Sequence, residues 1–223
     1  MKNNIEDNLK MDVVDGARDI FRKGLVEIGE GNVSTRIPNK EELLITPTFN
    51  QYETMTKDDV VHLRFDGTQL SKGKHASTEY RLHVAIYNAR PMAQCVIHSH
   101  SPYATMFSVA REKIPVLLEE MVILLGGEVN VSEFGIAHTE DIGENAIKAL
   151  GTTNAALLAN HGVLVCGRTV EHAVKMAELV EKMALIYWGS SQIGEPVVIS
   201  KAEYSKLIED FNSDFATHLK EEK

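Results

Sequence analysis

The segment Val96-Ile97-His98-Ser99-His100-Ser101-Pro102 constrains this chain more than any other. It closes a short apolar run, Ala93 to His98, that reads as a buried strand. Side chains at i and i+2 of a strand point to the same face. His98 and His100 therefore stand side by side, about 7 Å apart at their Cα atoms given the rise per residue. Two polar rings at the end of an apolar strand need partners, because burial without them is costly. Holding a divalent ion would supply the reason. A third donor is available from His161, in Ala159-Asn160-His161-Gly162, and a fourth from Glu79, the acid of Ala76-Ser77-Thr78-Glu79-Tyr80-Arg81. Three imidazoles and a carboxylate suit Zn²⁺, with Mn²⁺, Co²⁺ or Fe²⁺ as alternative occupants.

Composition narrows the rest. Of nine histidines, the other six (His62, His75, His83, His138, His172 and His218) have no such company, and His62 and His218 read as surface residues. The two cysteines, Cys95 and Cys166, sit in apolar runs and read as buried reduced thiols of a cytoplasmic protein, which leaves no thiolate metal site. Lys and Arg number 23 against 32 Asp and Glu, a net charge of −9. Such a balance disfavours nucleic acid, whose binding rests on clustered cations. No apolar run is long enough to span a bilayer, and the polar N-terminus is not expected to be a secretory leader.

The pattern predicts one catalytic domain over residues 1–223, with a helical tail from about 200. A helix is expected to run to about Ile28, ended by Gly29 and Gly31. Strands follow at Val33–Ile37, Leu43–Thr46 and Val60–Phe65, the first two joined by a turn at Pro38-Asn39-Lys40. Helices are expected over Thr78–Ala89, Thr105–Ala110, Glu119–Leu125, Asp141–Leu150, Val170–Trp188 and Lys201–Phe211. Ala155–Ala159 and Val163–Cys166 read as a tight hairpin, with Gly162 supplying a positive φ. The mixture implies α/β layers around a mostly antiparallel sheet.

Small polar residues beside glycines form a second group: Gly29-Glu30-Gly31-Asn32-Val33-Ser34, Thr46-Pro47-Thr48 and Ser77-Thr78. Hydroxyls at a helix N-terminus make a ready anion site. The glycines match neither a Walker loop nor a dinucleotide fingerprint.

Taken in order, Gly31-Asn32-Val33-Ser34, Leu44-Ile45-Thr46-Pro47-Thr48, Ser77-Thr78-Glu79, His98-Ser99-His100, Gly126-Gly127 and Ala159-Asn160-His161-Gly162 resemble the class II aldolase/adducin family, over roughly residues 10–190. The resemblance implies a three-layer α/β/α sandwich with a central, mostly antiparallel sheet, assembled as a homotetramer with active sites between subunits. It implies His98, His100 and His161 as Zn²⁺ ligands. Glu79 is implied as both a resting ligand and the catalytic base. Asn32, Thr48, Ser77 and Thr78 are implied as the cradle of a sugar-phosphate substrate. The chemistry implied is cleavage of a ketose 1-phosphate to dihydroxyacetone phosphate and an aldehyde.

The chain departs from the family pattern in places. Phe49 stands where the family usually has glycine, which leads one to expect an altered turn. The tyrosines that fuculose-phosphate enzymes bring to the aldehyde side are absent. Glu120-Met121 instead resembles the methylthioribulose-1-phosphate dehydratase branch, which makes Glu120 the candidate proton donor. Epimerase and decarboxylase branches share the metal site. A non-catalytic, adducin-like binding module is the remote alternative, opposed by the intact histidines and Glu79.

Overall fold

The computed structural model describes residues 2–27, 29–49, 51–137 and 139–209. Helix α1 (Lys2–Arg22) buries Val13, Val14, Ala17 and Ile20 completely, the helical spacing expected of them. It ends earlier than the glycines at 29 and 31 imply. Gly24 takes φ +69°, its N–H reaches Phe21 O, and Leu25 N–H reaches Ile20 O at 2.9 Å. That is a Schellman closure, which satisfies the last carbonyls and needs a residue without a Cβ. The expected end at Ile28 lies outside the described residues.

Among the described residues seven strands follow: β1 (Asn32–Arg36), β2 (Glu42–Ile45), β3 (Val61–Arg64), β4 (Cys95–Ser99), β5 (Asn130–Val131), β6 (Ala155–Leu158) and β7 (Gly162–Gly167). Their spatial order is β3-β2-β1-β4-β7-β6-β5, and only the β5–β6 pair is parallel. The β1–β2 turn is where the sequence places it, with Asn39 at φ +59°.

Strand alternation builds two cores, one on each face. Val33, Cys95, Ile97, Val163 and Val165 pack with α1, α3 (Pro102–Ala110) and α5 (Val170–Ile193). Leu43, Ile45, Val96, Leu164 and Cys166 pack with α2 (Tyr80–Ala89) and α4 (Glu140–Leu150). The result is the expected α/β/α sandwich. Cys95 and Cys166 fall on opposite faces, and both are buried free thiols. Among the described residues, no helix is long and apolar enough to cross a membrane.

Two local expectations change. The hairpin tip places Asn160, not Gly162, at positive φ, +52°. Gly162 is needed for a different reason: a Cβ there would lie 2.3 Å from Ser99 O across the β4–β7 pair. The helix expected over Glu119–Leu125 is a π-helical turn, Met121–Leu125, closed by Gly126 at φ +84°. The tail is helical over 201–209, and the last two residues of the predicted Lys201–Phe211 helix lie outside the described residues, as does His218.

Candidate metal centre

Antiparallel pairing brings the start of β1, the end of β2, the end of β4 and the start of β7 to one end of the sheet. Every residue of the site comes from that end or from the adjoining start of α2. His98 is the fourth residue of β4 and is fully buried, beside Asn32 in the β1–β4 register. His100 follows the strand, with its backbone N–H donated to Leu25 O at 3.1 Å. His161 stands at the β6–β7 tip, one residue before Gly162. Gly31 permits the close approach of the neighbouring turn: a Cβ there would meet His98 O at 2.7 Å. The Tyr52 hydroxyl fixes that turn by donating to Glu30 O and Gly31 O.

The three rings converge. Their centroids lie 4.6 to 5.0 Å apart, and one ligand nitrogen from each falls within 4.8 Å of the others. His98 Nδ1 donates to Val163 O at 2.9 Å. A carbonyl only accepts, so the proton of neutral His98 is on Nδ1 and Nε2 turns a lone pair toward the cluster. His100 Nε2 is 2.9 Å from His98 Nε2. Burial holds the proton affinities of His98 and His100 below that of free imidazole. Three converging imidazole nitrogens are the donor set a divalent ion requires, and His98 has the fixed tautomer typical of a ligand. The residues present therefore fit the metal.

Glu79 borders the triad, with Oε1 3.2 Å from His161 Nε2 and Oε2 3.5 Å from His98 Nε2. Asn32 Nδ2 donates to Oε2 at 2.8 Å. Burial opposes the charge on Glu79, but His98, His161 and the Asn32 amide outweigh it and hold the carboxyl well below the usual carboxylate range.

The hydroxyl loops meet beside Glu79. Thr48 N–H donates to His75 O and Ser77 N–H to Thr46 O, both at 3.0 Å, and Pro47 bridges Ala76. Thr46 Oγ1 accepts from Val33 N–H, which ties this loop to the strand carrying Asn32. Asn32, Thr48, Ser77 and Thr78 are thus drawn to one end of the sheet, Ser77 buried and Thr78 exposed. Phe49 follows Thr48 in this loop. It adopts φ +52° itself, the conformation glycine would supply, and its side chain is 86% exposed.

Glu120 is placed elsewhere. Its carboxylate pairs with Lys182 Nζ of α5 at 3.4 Å and makes no described contact with the histidines. His62 is not a free surface residue: it lies between Glu42, at 2.8 Å, and Glu6, at 3.6 Å.

His83 is the residue that sequence reasoning passed over. It is fully buried, one helical turn after Glu79, and bonded to Asn32 and Ser34. The available signal was its i+4 spacing from Glu79, matched by the i+2 spacing of Asn32 and Ser34 on β1. Burial lowers its pKa from 6.5 to about 4. Between those values the unfolded chain takes a proton that the folded chain refuses. Stability should therefore fall as pH drops from 6.5 toward 4, by about 3 kcal/mol from this group at about 1.4 kcal/mol per unit. Urea melts of metal-free protein at pH 7 and 4.5 would measure the fall. His83→Leu should be less pH-sensitive by this one proton, and an unchanged pH dependence would contradict the assignment.

A sequence profile of the class II aldolase and adducin N-terminal domain matches residues 11–188. The chain belongs to that family, and the family with the histidine triad defines a metal-dependent class II lyase. Two curated relatives are similar over nearly their whole length. The 5-methylthioribulose-1-phosphate/5-deoxyribulose-1-phosphate aldolase of Rhodospirillum rubrum is 30% identical, covering 92% of this chain and 91% of its own. The L-fuculose phosphate aldolase of Escherichia coli K12 is 31% identical, covering 92% and 94%. A solved L-fuculose 1-phosphate aldolase superposes with a TM-score of 0.87 at 29% identity, covering 92% of this chain and 96% of that one.

Proposed function

We propose that this chain is an L-fuculose-1-phosphate aldolase-like enzyme that cleaves a ketose 1-phosphate to dihydroxyacetone phosphate and an aldehyde. The position of Glu79 carries this reading. It is a carboxylate against two imidazoles of the triad, His98 and His161, on one side, and on the other it is bonded to the amide that leads to the hydroxyl loops. Zn²⁺ or another divalent ion held by His98, His100 and His161 would supply a Lewis acid for the substrate carbonyl and enediolate. Asn32, Thr48, Ser77 and Thr78 bind the phosphate with neutral donors beside the start of α2, so the net charge of −9 is no obstacle.

In the condensation direction Glu79 starts as the carboxylate and takes the proton from the carbon that becomes the nucleophile. That carbon forms the new bond to the aldehyde carbon, and the aldehyde oxygen takes a proton from Glu120. Cleavage runs the same steps backwards. The carboxylate of Glu120 takes the hydroxyl proton, the carbon–carbon bond breaks, and Glu79 returns a proton to the phosphate-bearing fragment. Because Glu120 meets Lys182 and not the triad of its own chain, we assign it to the site of a neighbouring protomer in a homotetramer with interfacial active sites. Two free cysteines fit a reducing cytoplasm.

The test is a screen of ketose 1-phosphates with each metal in turn, reading out dihydroxyacetone phosphate. Its release supports the aldolase. Loss of water with the carbon chain intact would instead establish the dehydratase reading, which Glu120-Met121 favours. Glu120→Gln should slow carbon–carbon cleavage about 100-fold, the lower range for a positioned proton donor, while leaving proton exchange into dihydroxyacetone phosphate nearly unchanged. Equal losses in both would remove Glu120 from this role.

A further inference from the structure

Behind Glu79 runs a chain of buried hydrogen bonds that the mechanism above does not use. Asn32 Nδ2 donates to Glu79 Oε2, Asn32 Oδ1 meets His83 Nε2, His83 Nδ1 meets Ser34 Oγ at 2.7 Å, and Ser34 Oγ meets the Tyr87 hydroxyl at 2.7 Å. Asn32 is 2% exposed, Tyr87 1%, and His83 and Ser34 not at all. The chain crosses from β1 to α2 and back. Asn32 and Ser34 share a face of the strand, while Glu79, His83 and Tyr87 recur at four-residue spacing along α2.

The direction of every bond follows from the Glu79 end. A carboxylate only accepts, so Asn32 must turn its NH₂ toward Glu79 and its carbonyl toward His83. That carbonyl requires a proton on His83 Nε2. Burial outweighs the charge of Glu79 one turn away and keeps this imidazole neutral, so Nδ1 carries a lone pair and Ser34 must donate to it. Ser34 has one proton, so its oxygen accepts from Tyr87. No member can reverse without placing two acceptors or two donors face to face.

We propose that His83 is a positioning residue: held as the Nε2–H tautomer by Ser34 and Tyr87, it fixes the amide of Asn32 so that its NH₂ meets Glu79 and the substrate. The proposal rests on reading Asn32 and Glu79 as site residues. Without His83 the amide is free to flip, and its oxygen would then face the Glu79 carboxylate, raising the proton affinity of the base and removing a phosphate donor. The two ends of the site, base and cradle, are in this way set by one ring that touches neither substrate nor metal.

Two measurements test this. NMR of protein labelled with ¹⁵N-histidine, assigned against His83→Gln, reports which ring nitrogen of His83 carries the proton, with no substrate present. Nε2 is expected, and a proton on Nδ1 would overturn the proposal whatever the enzyme's reaction proves to be. The second measurement compares His83→Gln with His83→Leu, each checked for folding by circular dichroism and for metal content. Glutamine can place an N–H donor near the Nε2 position and should hold kcat/KM within about threefold of wild type. Leucine should lose 10- to 100-fold, the range for partners that orient a site, with metal content unchanged. Equal activity of the two folded variants would also overturn it. If leucine does not fold, the tautomer and the glutamine variant decide. A wild type inactive on every ketose 1-phosphate would count against the proposed reaction, and the tautomer measurement would still decide the role of His83.

Discussion

Replacing Glu79 by glutamine is expected to leave a folded, metal-binding protein that has lost between 10²- and 10⁴-fold of its proton exchange into dihydroxyacetone phosphate, the range for a positioned general base. The substitution keeps the shape and one accepting oxygen for the Asn32 amide, which donates to Oε2 at 2.8 Å. It removes the carboxylate that lies between His161 and the Asn32 amide and that is assigned to take the proton. Stability at neutral pH should fall modestly, because His98, His161 and the Asn32 amide outweigh the burial that opposes the Glu79 charge and a carboxyl held low in the folded state adds stability there. Deuterium incorporation followed by NMR gives the exchange rate, and thermal melting gives the stability. Persistent exchange would show that another group is the base. Lost exchange with a large drop in melting temperature would point to a structural carboxylate instead.

His98→Ala is expected to lower bound metal from about one ion per chain to about a tenth or less, since the site loses one of its three imidazoles. His98 is the ligand most firmly set: fully buried, its Nδ1 committed to Val163 O, its Nε2 facing His100 at 2.9 Å and Glu79 at 3.5 Å. His100 and His161 are partly exposed and belong to less regular backbone. Elemental analysis after dialysis measures the loss, and activity should fall with it. His62→Ala serves as the control. That ring is held by Glu42 and Glu6, remote from the triad in its contacts, and its removal should leave metal content intact. Full metal occupancy in His98→Ala would remove the triad as the resident site.

Much of the site was legible because its spacing is short and periodic. His98 and His100 declare a shared face by the two-residue period of a strand, and the strand declares itself by its apolar run. The buried faces were legible for the same reason: β4 alternates Cys95 and Ile97 with Val96, and each set has its own core. Boundaries fared less well. The first helix stops at Arg22 because Gly24 and Leu25 close it, and nothing in the apolar spacing distinguishes that glycine from those at 29 and 31. Gly162 was expected to relieve a turn and in fact makes room for Ser99 O. A sequence marks the presence of a glycine without saying whether φ or space requires it.

His83 shows the limit most clearly. Alone in the sequence it is one histidine among nine, and its chemistry exists only because β1 lies under α2 and offers Asn32 and Ser34 at the right height. Phe49 is a second case. Its identity signalled a departure, while the conformation it adopts, φ +52°, had to be seen in the backbone.

The sequence by itself determined the layered fold, the pair of strand histidines and the poverty of thiolate ligands, because these depend on local period and composition. Tertiary structure decided which imidazoles Glu79 meets, which way the Asn32 amide points, and that Glu120 pairs with Lys182. Those facts depend on contacts between residues far apart in the chain, where the direction of a hydrogen bond and the burial of a charge are set by neighbours the local sequence does not name.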